Sequence, residues 1–514
     1  MFCVVTTFSL FSIMKYGLIA AGEKHTAEAG QHILESGGNA FDAAVAAVLT
    51  SMTSEYALTS AGGGGACLAW PKNKKPIVYD FFVDAPKTDK NRNIEFFETV
   101  VNFGTTKQLF HIGKGSIAVP GCIKGLFQIH KELGILPIEQ VMEPAIRAAR
   151  FGIRLNKCQA YVIKLLEPIL TYNQLDEQIL TKSDGTLIGE GDILKNPDFG
   201  DFLEILIKEG PDYFYSGIGS NLILSQSKSG GFLDERALQQ YQVYRRHPVK
   251  SQYHGKTIYS NPAPSTGGTL IGFFLAILNE SKLSPSPENI ALAMNITHQA
   301  RHHYKKESYN ILSKNNINTF KSKIENQEWV FKKTNPSGRG DTTQVSILDK
   351  EGNAVSITTT NGEGSGYSIP GMGVVLNNML GEEDLNPDGF HLWEKQVRIP
   401  SMIAPTIVAS DAGPELILGS GGSNRIRSAI SQVIINYFQN NKDIETSIAH
   451  PRIHLEGSSL HCEPGIKLDF QNKIPEEVDI IKWNNQNMFF GGVNAVTNDA
   501  AVGDQRRGGV GIVC

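Results

Sequence analysis

The sequence predicts a layered α/β protein with helices covering sheets, and three observations carry that expectation. Segments before residue 330 place apolar residues at the 3.6 spacing of a helix, and those after 341 are β-type. No Pro/Ser-rich linker, charge block or low-complexity tract divides the two parts. The 514 residues are 41% hydrophobic and 19% charged, a globular balance, so one large unit is as consistent with the length as three domains.

The elements follow in order. From about Met14, KYGLIAAG reads as a strand entering a helix. His25 to Ser36 has helical spacing (Ala27, Ala29, Ile33, Leu34) and stops at Gly37-Gly38, a C-cap signal. A second helix, 39-NAFDAAVAAVLTSMT-53, is capped by Asn39 and keeps Phe41, Ala44, Val45, Val48 and Leu49 on one face. In 60-SAGGGGACLAW-70, four glycines that permit close backbone approach feed a short apolar strand. Residues 90 to 330 read as mostly helical, with amphipathic segments at 121–134, 138–152 and 289–310. After 341, the runs 343-TQVSILD-349 and 353-NAVSITTT-360 form a hairpin closed by Lys350-Glu351-Gly352. Further β-type runs are 372-MGVVLNN-378, 406-TIVAS-410 and 415-ELILG-419, and a helix over 424–439 follows the glycine turn 419-GSGG-422.

Composition removes several function classes. The net charge of −4 comes from 48 basic and 52 acidic residues, dispersed along the chain, which argues against nucleic acid as the main partner. Cys3, Cys67, Cys122, Cys158, Cys462 and Cys514 are scattered without a CxxC pair or a His/Cys cluster, so neither a zinc site nor a disulfide framework is expected. The apolar stretch MFCVVTTFSLFSI lacks a basic n-region and meets Lys15 well short of a membrane span. A cytoplasmic protein is the default expectation, with a secretory signal and a periplasmic or secreted product as the alternative. The run 62-GGGG-65 has neither P-loop nor dinucleotide order, and no GxSxG elbow marks a serine. His302-His303, on a helix with basic neighbours, are expected on a solvated face.

Thr342 stands apart. Threonine suits a pleated half-buried strand, so a structural role is the plain alternative. A threonine hydroxyl becomes a useful nucleophile when a base adjoins it, and cutting the chain before the residue frees its own α-amine for that work. Such a site needs a polar loop leading in and a strand holding the residue rigidly, as 332-KKTNPSGRGD-341 followed by TTQVSIL provides.

Ordered blocks along nearly the whole chain extend this signal: 62-GGGG-65, 116-SIAVPG-121, 213-YFYSG-217, 262-PAPSTGG-268, 342-TTQVSILDKEGNAVSITTTN-361, 376-LNNM-379, 400-PSMIAPTIV-408, 419-GSGGSNRI-426, 449-AHPRIH-454 and 504-DQRRGG-509. Together they resemble the γ-glutamyltranspeptidase (glutathione hydrolase) family of N-terminal nucleophile hydrolases. The resemblance implies an αββα sandwich made from one precursor that cuts itself between Asp341 and Thr342. Residues 1–341 would form a large subunit and 342–514 a small one, paired as a heterodimer. It further implies Thr342 as nucleophile, its freed amine as general base, Thr360 as the strand threonine that orients it, and Gly421 and Gly422 as the oxyanion hole. The substrate would be a small-molecule γ-glutamyl amide such as glutathione, passed to water or an amino acid acceptor. No metal or organic cofactor is implied.

Substrate recognition departs from the family pattern. The segment 80-DFFVDAP-86 has Phe82 where the family carries the arginine that clamps the substrate carboxylate. Ungapped matching sets Met379 and Glu382 where the family holds the α-amino group, with Asp384 as a further acidic candidate. The family's serine pair becomes Pro400-Ser401, which halves the hydroxyl donors, and Gly362 stands where an asparagine is expected unless a one-residue gap recruits Asn361. Candidate substrate-binding residues are therefore Asn361, Glu382 and Ser401. The changes keep open a related glutaryl-, cephalosporin- or oxamate-type acylase. From another class, a non-catalytic binding relative whose chain never splits is the competing hypothesis.

Overall fold

In the computed structural model of the chain, two antiparallel sheets stack face to face between layers of helices. The structure describes residues 15–89, 92–102, 107–303, 308–331, 342–386, 388–469 and 474–514. The apolar N-terminal stretch on which the compartment expectation rests lies outside them, as does the loop 332–341.

The strands of the two sheets, in chain order, are β1 (Gly17–Ala21), β2 (Gly64–Trp70), β3 (Ile77–Phe81), β4 (Tyr244–Arg246), β5 (Val249–Tyr253), β6 (Lys256–Ser260), β7 (Thr343–Asp349), β8 (Ala354–Thr360), β9 (Thr406–Ser410), β10 (Gly413–Gly421), β11 (Gly492–Val496), β12 (Ala501–Val502) and β13 (Val510–Val513). The helices that matter here are α1 (Lys24–Glu35), α2 (Ala40–Ser54), α3 (Cys122–Leu133), α4 (Ile138–Phe151), α5 (Pro197–Glu209), α6 (Gly267–Ser281), α7 (Pro287–His303), α8 (Lys314–Glu325) and α9 (Arg425–Ile434).

The first sheet runs β13-β1-β7-β8-β2-β3-β4 and the second β5-β6-β9-β10-β11-β12. Each sheet holds strands from both sides of position 342, so a cut there would leave the two pieces joined by backbone hydrogen bonds. Helices α1, α2 and α4 cover the outer face of the first sheet, and α6, α7 and α9 belong to the core that covers the second. Leu18, Leu68, Leu348, Ile407, Ile417 and Val496 fill part of the gap between the sheets. The αββα expectation therefore holds.

Local chemistry explains most elements. Asn39 and Asp42 form a reciprocal capping box at the start of α2. All of α2 is buried rather than one face, because it lies between α1, α4 and the sheet, and its alanines admit that close approach. The hairpin β7–β8 turns at Gly352 with φ +89°, a conformation suited to glycine. The expected strand at 372–378 shortens to a two-residue pairing at Val374–Val375.

The mostly helical expectation for 90–330 needs correction. Helices α3, α4 and α7 form as expected, α7 being described over Pro287–His303, with residues 304–307 of the expected segment outside the described residues. The same region also supplies a hairpin, Phe97–Asn102 with Lys107–Ile112, and the strands β4, β5 and β6. Lys250 and Lys256 on β5 and β6 mask an alternation whose inward residues, Tyr253 and Ile258, are buried.

Candidate active site

Thr342 lies immediately before β7 and is buried. The register pairs Thr343 with Thr359, so one further step sets Thr342 across from Thr360. Thr360 in turn pairs with Gly64 at the end of the 62–65 glycine run. Its Oγ1 accepts the backbone N–H of Gly362 at 3.0 Å, which turns the chain sharply after the strand.

The opposite sheet closes on Thr342 through glycine. A Cβ added at Gly421 would collide with the Thr342 carbonyl oxygen, so the absent side chain is what lets β10 approach. Gly422 has φ +113°, a backbone conformation that L side chains rarely adopt. The two sheets are tied here by polar side chains: Ser346 Oγ donates to the Asn494 carbonyl at 2.9 Å, Ser356 Oγ to that of Leu418 at 2.8 Å, and Asn494 Nδ2 to that of Gln344 at 2.8 Å. Thr342, Thr360, Gly421 and Gly422, chosen from sequence, thus come together.

Behind the strand, Thr343 points away from Thr342 and its Oγ1 donates to Glu55 Oε2 at 2.6 Å. Thr26 Oγ1 donates to the other oxygen at 3.0 Å. Burial pushes the Glu55 carboxyl up to about 7, against the Thr343 hydrogen bond that favours its ionised form. The Arg507 guanidinium stands beside Gly421 and Gly422.

The expected substrate-binding residues are more dispersed. Glu382 is buried beside Gly362, at which an added Cβ would meet Asn378 Oδ1 and Glu382 Oε1. Asn378 Oδ1 accepts from the Glu363 N–H at 3.0 Å. Asn361 is buried next to Thr360, and its Oδ1 has no hydrogen-bond partner among the described residues. Asp384 accepts from Asn424 Nδ2 at 2.7 Å, just beyond the glycine turn. Ser401 keeps a hydroxyl companion after all: its Oγ donates to Ser265 Oγ at 3.2 Å, and Ser265 donates to the Ser401 carbonyl at 2.9 Å. Both hydroxyl protons are thereby engaged within the protein, so the 262–268 segment supplies a companion for Ser401 without restoring the donor lost at Pro400. Phe82 is buried in the same apolar cluster as Met379, Leu385 and Met402. His302 and His303 are exposed, as expected.

The sequence profile of the family described as Gamma-glutamyltranspeptidase matches residues 26–514. The chain belongs to the gamma-glutamyltranspeptidase family. Among its relatives, the glutathione hydrolase proenzyme of Bacillus subtilis (strain 168) is 26% identical over 551 residues, covering 95% of this chain and 92% of that one. Glutathione hydrolase 2 of Arabidopsis thaliana is 30% identical over 520 residues, with 92% and 87% covered. The crystal structure of a cephalosporin acylase from Bacillus halodurans superposes with a TM-score of 0.81 at 21% identity, covering 97% of this chain and 96% of that one, a likeness of fold.

The sequence reading of this gamma-glutamyltranspeptidase-family chain did not single out Glu55, Ser265, Asn424 or Arg507, although Ser265 lies inside its block 262-PAPSTGG-268. Asn424 and Arg507 were in view inside 419-GSGGSNRI-426 and 504-DQRRGG-509, without a signal that would separate them from their neighbours. Glu55 is a lone acid in 54-SEYALTSAGGGG-65, and nothing local marks it.

Proposed function

We propose that the protein is a self-processing threonine amidohydrolase that cleaves γ-glutamyl amides, as a glutathione hydrolase and γ-glutamyltransferase does. The observation that carries this is the placement of Thr342, at the head of a central strand, opposite Thr360, with its carbonyl against Gly421. In processing, Thr342 Oγ attacks the Asp341 carbonyl, the peptide becomes an ester, and water releases residues 1–341 from 342–514. The freed α-amine then takes the Oγ proton as the hydroxyl attacks the substrate amide. The N–H groups of Gly421 and Gly422 meet the charge that develops on the carbonyl oxygen. Collapse expels the amine, which takes up the proton, and leaves an acyl ester on Thr342. Water, or the amino group of an amino acid, resolves that ester.

The intact mass of purified protein, with N-terminal sequencing of the smaller fragment, tests this directly. A fragment beginning Thr-Thr-Gln-Val-Ser is expected. A single uncut chain, stable over days, would favour the non-catalytic relative.

A second reading, a related acylase with altered acyl preference, is favoured by Phe82. Phe82 is buried in the apolar cluster that also includes Met379, Leu385 and Met402, so the position where a carboxylate clamp was expected is apolar. Turnover of glutathione against glutaryl and oxamate amides separates the two.

A further inference from the structure

The turn that follows α2 reaches β7 and β8 beside both threonines of the site. Its Glu55 accepts the hydroxyl of Thr343, the neighbour of Thr342, at 2.6 Å. Its Thr59 donates through Oγ1 to Thr359 Oγ1, the neighbour of Thr360, at 2.9 Å. The Leu58 carbonyl between them accepts the Asn361 N–H at 3.3 Å. Because Thr343 and Thr359 are cross-strand partners, these bonds grip one rung of the β7–β8 ladder, directly next to Thr342 and Thr360. Glu55, Thr59, Thr343 and Thr359 are all buried. Packing alone would not call for them, since valine fills the space of threonine and a buried acid opposes folding once it ionises.

Glu55 is enclosed on every side. Its second oxygen accepts from Thr26 Oγ1 on α1 at 3.0 Å, and Thr26 Oγ1 also meets Ser54 Oγ at 2.8 Å. A Cβ added at Gly22, just after β1, would collide with both Glu55 Oε2 and Thr343 Oγ1, so their bond passes where that strand has no side chain. The charged groups that act on the carboxyl are Glu23, which raises it and holds His25 at 3.0 Å, and Arg507, which lowers it. Both border the small cavity beside Glu55, with the thiol of Cys158 in the same wall. Burial sets the carboxyl at about 7, so it is partly ionised near neutral pH. Ionised, it offers only acceptors, and both hydroxyls donate to it. Protonated, it becomes a donor itself, and one of the two hydroxyls must turn.

We propose that Glu55 and Thr59 are positioning residues for the reaction at Thr342, locking both threonines of the site from behind the sheet. Neither touches the substrate, and the lock is complete when Glu55 is ionised. The inference rests on the self-processing function proposed above. Processing exposes it most cleanly, because in the precursor the α-amine of Thr342 is still a peptide nitrogen and does not titrate.

The test follows the cut in full-length chain made by cell-free translation, with intact mass sampled over time on both sides of pH 7. Glu55→Gln keeps the shape and cannot ionise. It should cut about ten- to a hundredfold more slowly than wild type above pH 7, the cost of a misplaced nucleophile. The ratio should shrink toward one as pH falls through about 7, where the wild-type carboxyl takes up its proton. A Tm above pH 7 no lower than that of wild type separates this loss from unfolding. Thr343→Val should slow the cut by a similar factor, and the double variant by no more than either alone, since both remove one bond. Thr59→Val should slow it through the other strand, and it carries the test if Glu55→Gln does not fold. A ratio independent of pH, or additive losses in the double variant, would overturn the positioning role. Wild type and variants that cut equally fast would refute this role alone, whereas a wild-type chain that stays whole would refute the processing reaction and this role with it.

Discussion

Around Thr342 the geometry is set by backbone, whereas the acyl side is set by side chains from separate elements. The threonine is placed by the register of β7 on β8, by the missing side chain at Gly421 and by the positive φ of Gly422. On the acyl side, Ser265 and Ser401 pair across 136 positions of sequence, and Asn424 reaches Asp384 across 40. Backbone geometry tolerates little change of residue type, while a pocket lined by side chains can be recharged by single substitutions. The difference lets the backbone around Thr342 stay fixed while position 82 carries a phenylalanine.

The contrast can be broken at several points. Thr342→Ala should give the largest effect: an unprocessed 514-residue chain by intact mass, with no amidase activity. Processing at the natural junction in that variant would remove Thr342 from the centre of the site. Next, Gly421→Ala should cost about a hundredfold or more in processing rate and in kcat, because its methyl displaces the Thr342 carbonyl and the N–H beside it. A near-normal rate would mean that backbone closeness there is not what matters.

Glu55 tests the layer behind the strand through pH. Its carboxyl is raised by burial from the ordinary 4.5 to about 7, so between those values the folded protein binds a proton that the unfolded chain has released. Stability from this group is therefore greatest below about pH 4.5 and is lost as pH rises to about 7. Glu55→Gln removes the titration and should gain on wild type across that window, by up to about 3 kcal/mol at pH 8 in denaturant unfolding. A pH-independent difference would show that Glu55 does not titrate there. The smallest effect is expected at Ser401→Ala, where losing one hydrogen bond should raise KM by about two- to tenfold while the chain still cuts itself. Failure of that variant to process would dissolve the distinction between the two sides.

Legibility from the sequence follows the same division. The hairpin 342–361 was readable because strand alternation and the turn at Gly352 are local, and the glycine turn before α9 was readable for the same reason. Strands β5 and β6 were not, since their lysines and short length hide a period of two inside a helical region. Ser265 could not be matched to Ser401, nor Glu55 to Thr343, because each pair is made only when distant segments pack.

What the sequence by itself determined is the family, the layered architecture, and the threonine and glycines around which a reaction can be built, since each is written in contiguous residues with a local physical signature. The burial of Arg427 was decided only by tertiary structure. On a helical wheel Arg427 belongs to a solvent-facing stripe, and it becomes a buried cation only because the residues around His298 and His454 close over it. Burial is a property of the assembled layers, so no window of sequence around residue 427 contains it.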